Sequence, residues 1–288
     1  MPEESPRPPV VAGQFYAAMG AELAHQLERC FLDPRGPGEL PVRHRSASRS
    51  LRAAVVPHAG YEFSGPIAAH AYAAIAAQAP PETVLILGVD HHGLGAGATL
   101  SDRAWRTPLG PTAVDHELVR TLTRPPVAVD EAAQAEEHSI EVQLPFLEYV
   151  LPRPKFVALQ VRFGGFDYLL DVARVVREAI QERDVLLLAS TDFSHYVSAA
   201  TAERLDHMAI DAILARDARR LYDTVVANDI SMCGIAPTTV LLAALAGEPL
   251  SARLLRWGHS GEARTMREVV GYASLVLETA STASPSVK

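Results

Sequence analysis

The chain has 288 residues, 48% of them apolar, with a formal net charge of −8 and near-neutral mean hydropathy. Those figures accommodate one large α/β domain with a substantial core and exclude disorder over most of the length. The acidic balance argues against general nucleic-acid binding, which needs a basic footprint, and leaves small molecules or other proteins as partners.

No N-terminal stretch joins a positive segment to an apolar one, and no apolar run nears the roughly 20 residues that span a bilayer; a soluble, cytoplasmic protein with no membrane role is expected. The two cysteines, Cys30 and Cys233, are too few for a disulfide framework and are expected as reduced thiols.

In chain order, a Pro-rich leader (SPRPPVVAGQFY) precedes a helically spaced stretch, Ala18 to Leu32, with Cys30 half buried near its end. A Pro/Gly/Ser/Arg loop covers Arg35 to Arg49, where His44 falls. LRAAVV (51–56) reads as a strand and GPIAAHAYAAIAAQ (65–78) as an Ala-rich helix. Strand-like and helix-like runs then alternate: TVLILGV (83–89), HSIEVQLPFLEYVL (138–151), KFVALQV (155–161), FDYLLDVARVVREAIQ (166–181) and DVLLLAS (184–190). Such alternation predicts a largely parallel or mixed central sheet with helices on both faces. Two helical stretches follow, TAERLDHMAIDAILAR and DARRLYDTVVAN, then SMCGIAPTTVLLAALAG. ARLLRWGH and REVVGYASLVLE read as adjacent strands joined by GEART. A polar tail from residue 279 is expected to be disordered, and without an internal repeat or a linker the rest reads as one domain.

Three of the apolar runs end in histidine. LRAAVV leads into Pro57-His58, TVLILGV into Asp90-His91-His92, and DVLLLAS into Thr191-Asp192-Phe193-Ser194-His195. In a parallel sheet these ends converge on the carboxyl edge, where ligands bind, so the histidines are expected to build one site. Only one of His91 and His92 can turn into it, and spacing leaves open which. Asp192 and His195 are either a turn-forming pair or an oriented acid and base.

His138 opens EHSIE at a helix start, where Glu136, Glu137 and Ser139 suit capping and the helix dipole, and Glu141 lies one turn on, able to face the same site. Cys233 in SMCGIAP precedes a helix with Pro237 in its first turn. It is either a small buried hydrophobe or a thiol whose thiolate form the helix N-terminus favours. His25, His44, His116, His207 and His259 lack supporting polar groups and are expected in solvent, with His70 at the core or its rim.

VAGQFY, PHAGYEFSGPIAAHAY, the HH doublet after an apolar strand, WRTPL (105–109), EHSIEVQLPFL, STDFSHY and a late CG with proline four positions past the cysteine resemble, in order, the Memo family. That family supplies the B component of the bacterial and archaeal AmmeMemoRadiSam gene set, and the resemblance covers roughly residues 8–277. It implies a fold like the class III extradiol (LigB-type) non-haem iron dioxygenases. It also implies a metal site of His58, His91 and Cys233, with Asp192, His195 and His138 as catalytic pocket residues.

A thiolate in place of the dioxygenases' carboxylate shifts the preference from Fe(II) toward copper or zinc, so ring cleavage does not carry over with the fold. Asp90 before the HH doublet and Ile235-Ala236 after CG depart from the family pattern. The resemblance implies a metal-dependent redox enzyme, dioxygenase-like, acting on a small molecule, with a functional link to a radical-SAM enzyme and an Ammecr-type protein. The alternative is a non-catalytic adaptor using the same pocket for an anionic peptide or small ligand.

Overall fold

In the computed structural model, which describes residues 5–43 and 46–280, ten strands form one twisted sheet whose centre is parallel. The strands are β1 (Leu51–Val56), β2 (Thr83–Val89), β3 (Ala98–Ser101), β4 (Arg106–Thr107), β5 (Gly110–Pro111), β6 (Ala113–Val114), β7 (Val127–Val129), β8 (Lys155–Val161), β9 (Val185–Ser190), β10 (His195–Val197), β11 (Leu250–His259) and β12 (Val269–Thr279). The helices are α1 (Gly20–Leu32), α2 (Gly65–Ala76), α3 (His116–Leu122), α4 (Glu131–Gln134), α5 (Leu144–Val150), α6 (Phe166–Ile180), α7 (Ala199–Leu214), α8 (Ala218–Ala227) and α9 (Ile235–Ala244).

The sheet runs β10-β12-β1-β9-β2-β8-β3-β7, with β11 on β12 and β6 on β8, while β4 and β5 pair separately. β1, β9, β2 and β8 are mutually parallel, and β12 and β3 add on antiparallel at either side. The crossover through α2 carries the chain from β1 to β2 across a place that β9 fills later, so three strands distant in sequence end side by side.

Both faces of the parallel strands are covered, which is why they read as continuous apolar runs. Successive side chains divide between two cores: Val55, Leu85, Leu87, Leu187 and Leu159 pack toward α3 and α6–α9, and Val56, Ile86, Leu186, Leu188 and Phe156 toward α1, α2 and α5. Helix α6 shows the expected stripe, with Leu169, Val172, Ala173, Val176 and Ile180 buried at three- and four-residue steps. Helix α9 is buried throughout, Thr238 and Thr239 being its only polar residues.

Several sequence expectations need correction. Cys30 is fully buried rather than half buried, because α1 packs onto α2 where a Cβ on Gly65 would sit 2.6 Å from its Sγ. EHSIE does not start a helix: a 3-10 turn spans Glu141–Gln143, and α5 begins only at Leu144, with Pro145 in its first turn. His116 is not unsupported, since its Nδ1 lies 2.6 Å from Asp102 Oδ1, and His207 bonds the Glu203 carbonyl. His70 sits at the rim, its Nε2 on the Arg35 carbonyl. The strands around GEART are adjacent, as read, and pair antiparallel. His44 and residues 281–288 of the expected disordered tail lie outside the described residues. Among the described residues no helix is long and apolar enough to cross a membrane.

Candidate metal centre

Because β1, β9 and β2 are adjacent, parallel and in register (Val56 beside Ser190, Leu87 beside Ala189), the residues just past their ends meet at one edge. His58 follows β1, Asp192 follows β9 and His91 follows β2. Cys233 arrives from the opposite direction, on the turn into α9. Gly234 lets it in: a Cβ there would lie 2.2 Å from Thr191 Cβ, while its N–H donates to Thr191 Oγ1 at 3.0 Å.

One donor atom from each of His58, His91 and Cys233 falls within 4.8 Å of the others. Cys233 Sγ is 3.2 Å from His58 Nε2, and the His58 and His91 rings stand edge to face with centroids 5.2 Å apart. His58 is only 2% exposed, Cys233 is half buried, and His91 lies open to solvent. The centre is therefore closed on the His58 side and accessible on the His91 side.

Hydrogen bonding fixes the tautomers. Ser190 Oγ donates to the Ser139 carbonyl (2.7 Å) and accepts from Gln143 Nε2 (2.8 Å), so toward His58 Nδ1 at 2.9 Å it accepts again. The His58 proton is thus on Nδ1, and the Nε2 lone pair faces Cys233. Gln143 is itself held by the Tyr72 hydroxyl at 2.6 Å. His91 Nδ1 donates to Glu137 Oε1 at 2.9 Å, leaving its Nε2 as the acceptor. Both imidazoles present Nε2 lone pairs, and a ring whose other nitrogen donates to an oxygen is the usual form of a metal-binding histidine.

The electrostatics follow from burial. Desolvation, reinforced by His138 and His91, drives the His58 imidazole well below the usual histidine range, so it is neutral. Burial likewise lowers His138 to about 4. Burial would raise the Glu137 carboxyl, but the hydrogen bonds it accepts from His91 Nδ1–H and the Ser139 N–H hold it well below the usual carboxylate range. Burial, then the neighbouring Asp192, push the Cys233 thiol up. Of the two sequence alternatives the buried thiol holds: the helix N-terminus is outweighed, and this thiol needs a cation to give up its proton.

The other expected site residues divide. His138 joins the cluster, stacked on His91 at 4.6 Å and edge-on to Phe15 at 5.0 Å. Asp192 does not orient His195: its Oδ1 accepts the His58 N–H at 2.8 Å, while His195 Nδ1 bonds the Ser231 carbonyl at 2.8 Å. Asp192 also receives Coulombic help from His195, but burial dominates and raises its carboxyl. Of the doublet, His91 turns in, and His92 reaches out to the Glu136 carbonyl.

Glu137 is no helix cap; it turns inward to His91, and Ser139 Oγ accepts the Val89 N–H. Glu141 does not face the centre. It pins the N-terminal segment instead, bonded to Arg7 and to the Tyr16 hydroxyl. Sequence reasoning missed Ser190, Gln143 and the true partner of Glu137. For Ser190 the available signal was a polar residue closing an otherwise apolar strand; Gln143 lies in the 3-10 turn and Glu137 in a loop, away from any strand end.

A cavity of about 370 Å³ opens beside Cys233, walled by Phe163, Val225, Ile230, Met232 and Ile235. Val226, Asp229 and Cys233 complete its lining, so of His58, His91 and Cys233 it touches Cys233 alone.

Fold and site together define an α/β protein that gathers two histidines and a cysteine at the carboxyl edge of its sheet. The family described as Memo-like protein matches residues 7–276. A MEMO1 family protein of Methanopyrus kandleri is 41% identical over 94% of this chain and 98% of its own length. One of Methanococcus maripaludis is 39% identical over 94% and 99%, and one of Sulfurisphaera tokodaii 36% identical over 93% and 98%. The chain belongs to the Memo family.

Proposed function

We propose that His58, His91 and Cys233 hold one iron or copper ion and that the protein is a metal-dependent redox enzyme acting on a small molecule. The observation that carries this reading is the convergence of two Nε2 lone pairs and one thiol within 4.8 Å, each imidazole locked from behind by an oxygen partner. The donor set fits a borderline or soft transition ion, and zinc fits the same donors. Three protein ligands would leave a coordination position open, and the bound ion would supply one-electron chemistry on substrate or dioxygen.

The chain's own residues supply the rest. Cys233 Sγ and His58 Nε2, which share the thiol proton, would both hold the ion once that proton is lost to solvent. Asp192 holds the His58 backbone in place through its N–H. His195 keeps its Nδ1 on the Ser231 carbonyl, so its Nε2 is free to accept a proton from substrate. His138, neutral and fixed between His91 and Phe15, offers a second polar contact on the open side. The largely apolar cavity beside Cys233 would receive the hydrocarbon part of the substrate.

The test is metal content after anaerobic purification without an affinity tag, wild type beside His58→Ala and Cys233→Ala. Near-stoichiometric iron or copper that disappears from both variants is the expected result. Wild-type protein that stays metal-free after reconstitution would overturn the reading in favour of a non-catalytic binding protein. Zinc alone, supporting ester or amide cleavage, would replace the redox reading with a hydrolytic one.

A further inference from the structure

Glu137 is fully buried, and both of its carboxylate oxygens are turned to one residue. Oε1 accepts from His91 Nδ1 at 2.9 Å and from the Ser139 N–H at 2.7 Å; Oε2 accepts the His91 backbone N–H at 3.0 Å. The backbone carbonyl of Glu137 is held in turn by Arg7 Nη2 at 2.6 Å. His138 Nδ1 stands 3.8 Å from Oε1, beyond hydrogen-bond reach, so the carboxylate is committed to His91.

The His91 side chain is 28% exposed, on a loop; His138 stacks on its ring at 4.6 Å and His58 stands edge-on at 5.2 Å, but ring contacts of that kind do not choose a tautomer. His58 is gripped on all sides, and its Nδ1 partner is the neutral Ser190 hydroxyl. The two histidines of the centre therefore have unlike partners, one an anion and one a hydroxyl.

We propose that Glu137 is the positioning residue that makes His91 a ligand, and that its charge biases the centre toward divalent over monovalent ions. The carboxylate locks the proton on Nδ1 and aims Nε2 at the centre. A buried anion behind an imidazole also raises the ring's basicity, and its attraction for an ion at the far nitrogen grows with the ion's charge. Removing that charge at constant shape costs a divalent ion about twice the logarithm of affinity that it costs a monovalent one. The affinity part rests on the metal reading above; the tautomer part stands without it.

The experiment uses the full chain labelled with ¹⁵N-histidine, with His91 assigned by the signal lost in His91→Ala, and anaerobic competition titrations with Zn(II) and with Cu(I) alone. Expected results are an Nδ1–H tautomer for His91 in the wild-type apoprotein and its loss in Glu137→Leu, which has no acceptor; Glu137→Gln keeps one acceptor oxygen and removes only the charge. Zn(II) affinity should fall in Glu137→Gln by about 10–100-fold, with a Cu(I) loss of roughly the square root of that factor. Glu137→Asp, which keeps the charge but withdraws it, should bind both ions more weakly yet retain the Zn(II) over Cu(I) ratio, and it serves if Glu137→Gln does not fold.

An Nε2–H tautomer in the wild type, or an Nδ1–H tautomer kept in Glu137→Leu, would overturn the positioning role. Equal losses for the two ions, or affinities unchanged within twofold, in Glu137→Gln would overturn the charge bias. Wild-type protein that binds neither ion would refute the metal reading and the charge bias together, while the tautomer would still decide the positioning role.

Discussion

Replacing Glu141 by Gln should destabilise the fold by about 3 kcal/mol without touching any proposed ligand. The Glu141 side chain is 1% exposed and that of its partner Arg7 5%, with Arg7 Nη1 and Glu141 Oε2 2.8 Å apart. The same carboxylate accepts the Tyr16 hydroxyl at 2.7 Å and the Val10 and Val11 N–H groups at 2.9 and 3.0 Å. A glutamine keeps one acceptor oxygen for those donors, but it turns an NH₂ toward a guanidinium that no longer has a counter-charge.

Breaking a buried ion pair costs roughly 3–5 kcal/mol. Arg7 retains the carbonyls of Gln134 and Glu137 and the face of Trp105, 3.9 Å away, which places the cost at the lower end. At about 2–4 °C per kcal/mol for a chain of this size, the melting temperature should fall by about 6–12 °C. Urea denaturation of wild type and Glu141→Gln, with calorimetry alongside, measures it. A difference below about 1 kcal/mol would refute the claim that this pair anchors the N-terminal segment.

Two further outcomes follow from the same structure. Burial raises the Glu148 carboxyl to about 7, the Thr107 hydroxyl working weakly against it. Between the unfolded value of about 4.3 and about 7 the folded chain binds more protons, so stability falls as pH rises through that window and is level above it. Glu148→Gln should remove this slope and be more stable than wild type at pH ~8 by about 1–2 kcal/mol, after allowance for the group's partial exposure, and no more stable at pH ~4; parallel melting curves at both pH values would contradict it. Ser190→Ala strips His58 Nδ1 of its acceptor and leaves Gln143 Nε2 and the Ser139 carbonyl each one partner short. It should cost about 1–3 kcal/mol of stability and about 10–100-fold in metal affinity, read by urea denaturation and by competition titration; unchanged metal affinity would show that the hydroxyl does not set the His58 tautomer.

The sheet and the meeting of its strand ends were legible in the sequence because buried parallel strands are written as continuous apolar runs, and the residue that follows each run is placed by the topology alone. His58 and His91 could be brought to one edge in that way; Cys233, on the turn into α9, was joined to them only through the family resemblance. What sequence could not reach was orientation. His91 and His92 differ by which way a loop turns, and that is decided by Glu137, 46 positions away from His91.

Asp192 is close to His195 in sequence, yet it binds the backbone of His58 across the sheet, because β1 and β9 are neighbours in space. Glu141 has helical spacing from His138, but the stretch between them is not helical until Leu144, so it faces the N-terminal segment. For Cys233 the sequence left a buried thiol and a favoured thiolate both open, and burial decides between them. A helix N-terminus offers a fraction of a charge, whereas burial beside Asp192 acts on the whole one.

The central claim is that Cys233 and two imidazoles bind one ion, and X-ray absorption at the zinc edge on reconstituted protein tests it most directly. The account predicts one sulfur scatterer at about 2.3 Å with imidazole nitrogens at about 2.0–2.1 Å, the sulfur shell vanishing in Cys233→Ser. A first shell of nitrogen and oxygen alone in the wild-type protein would contradict it.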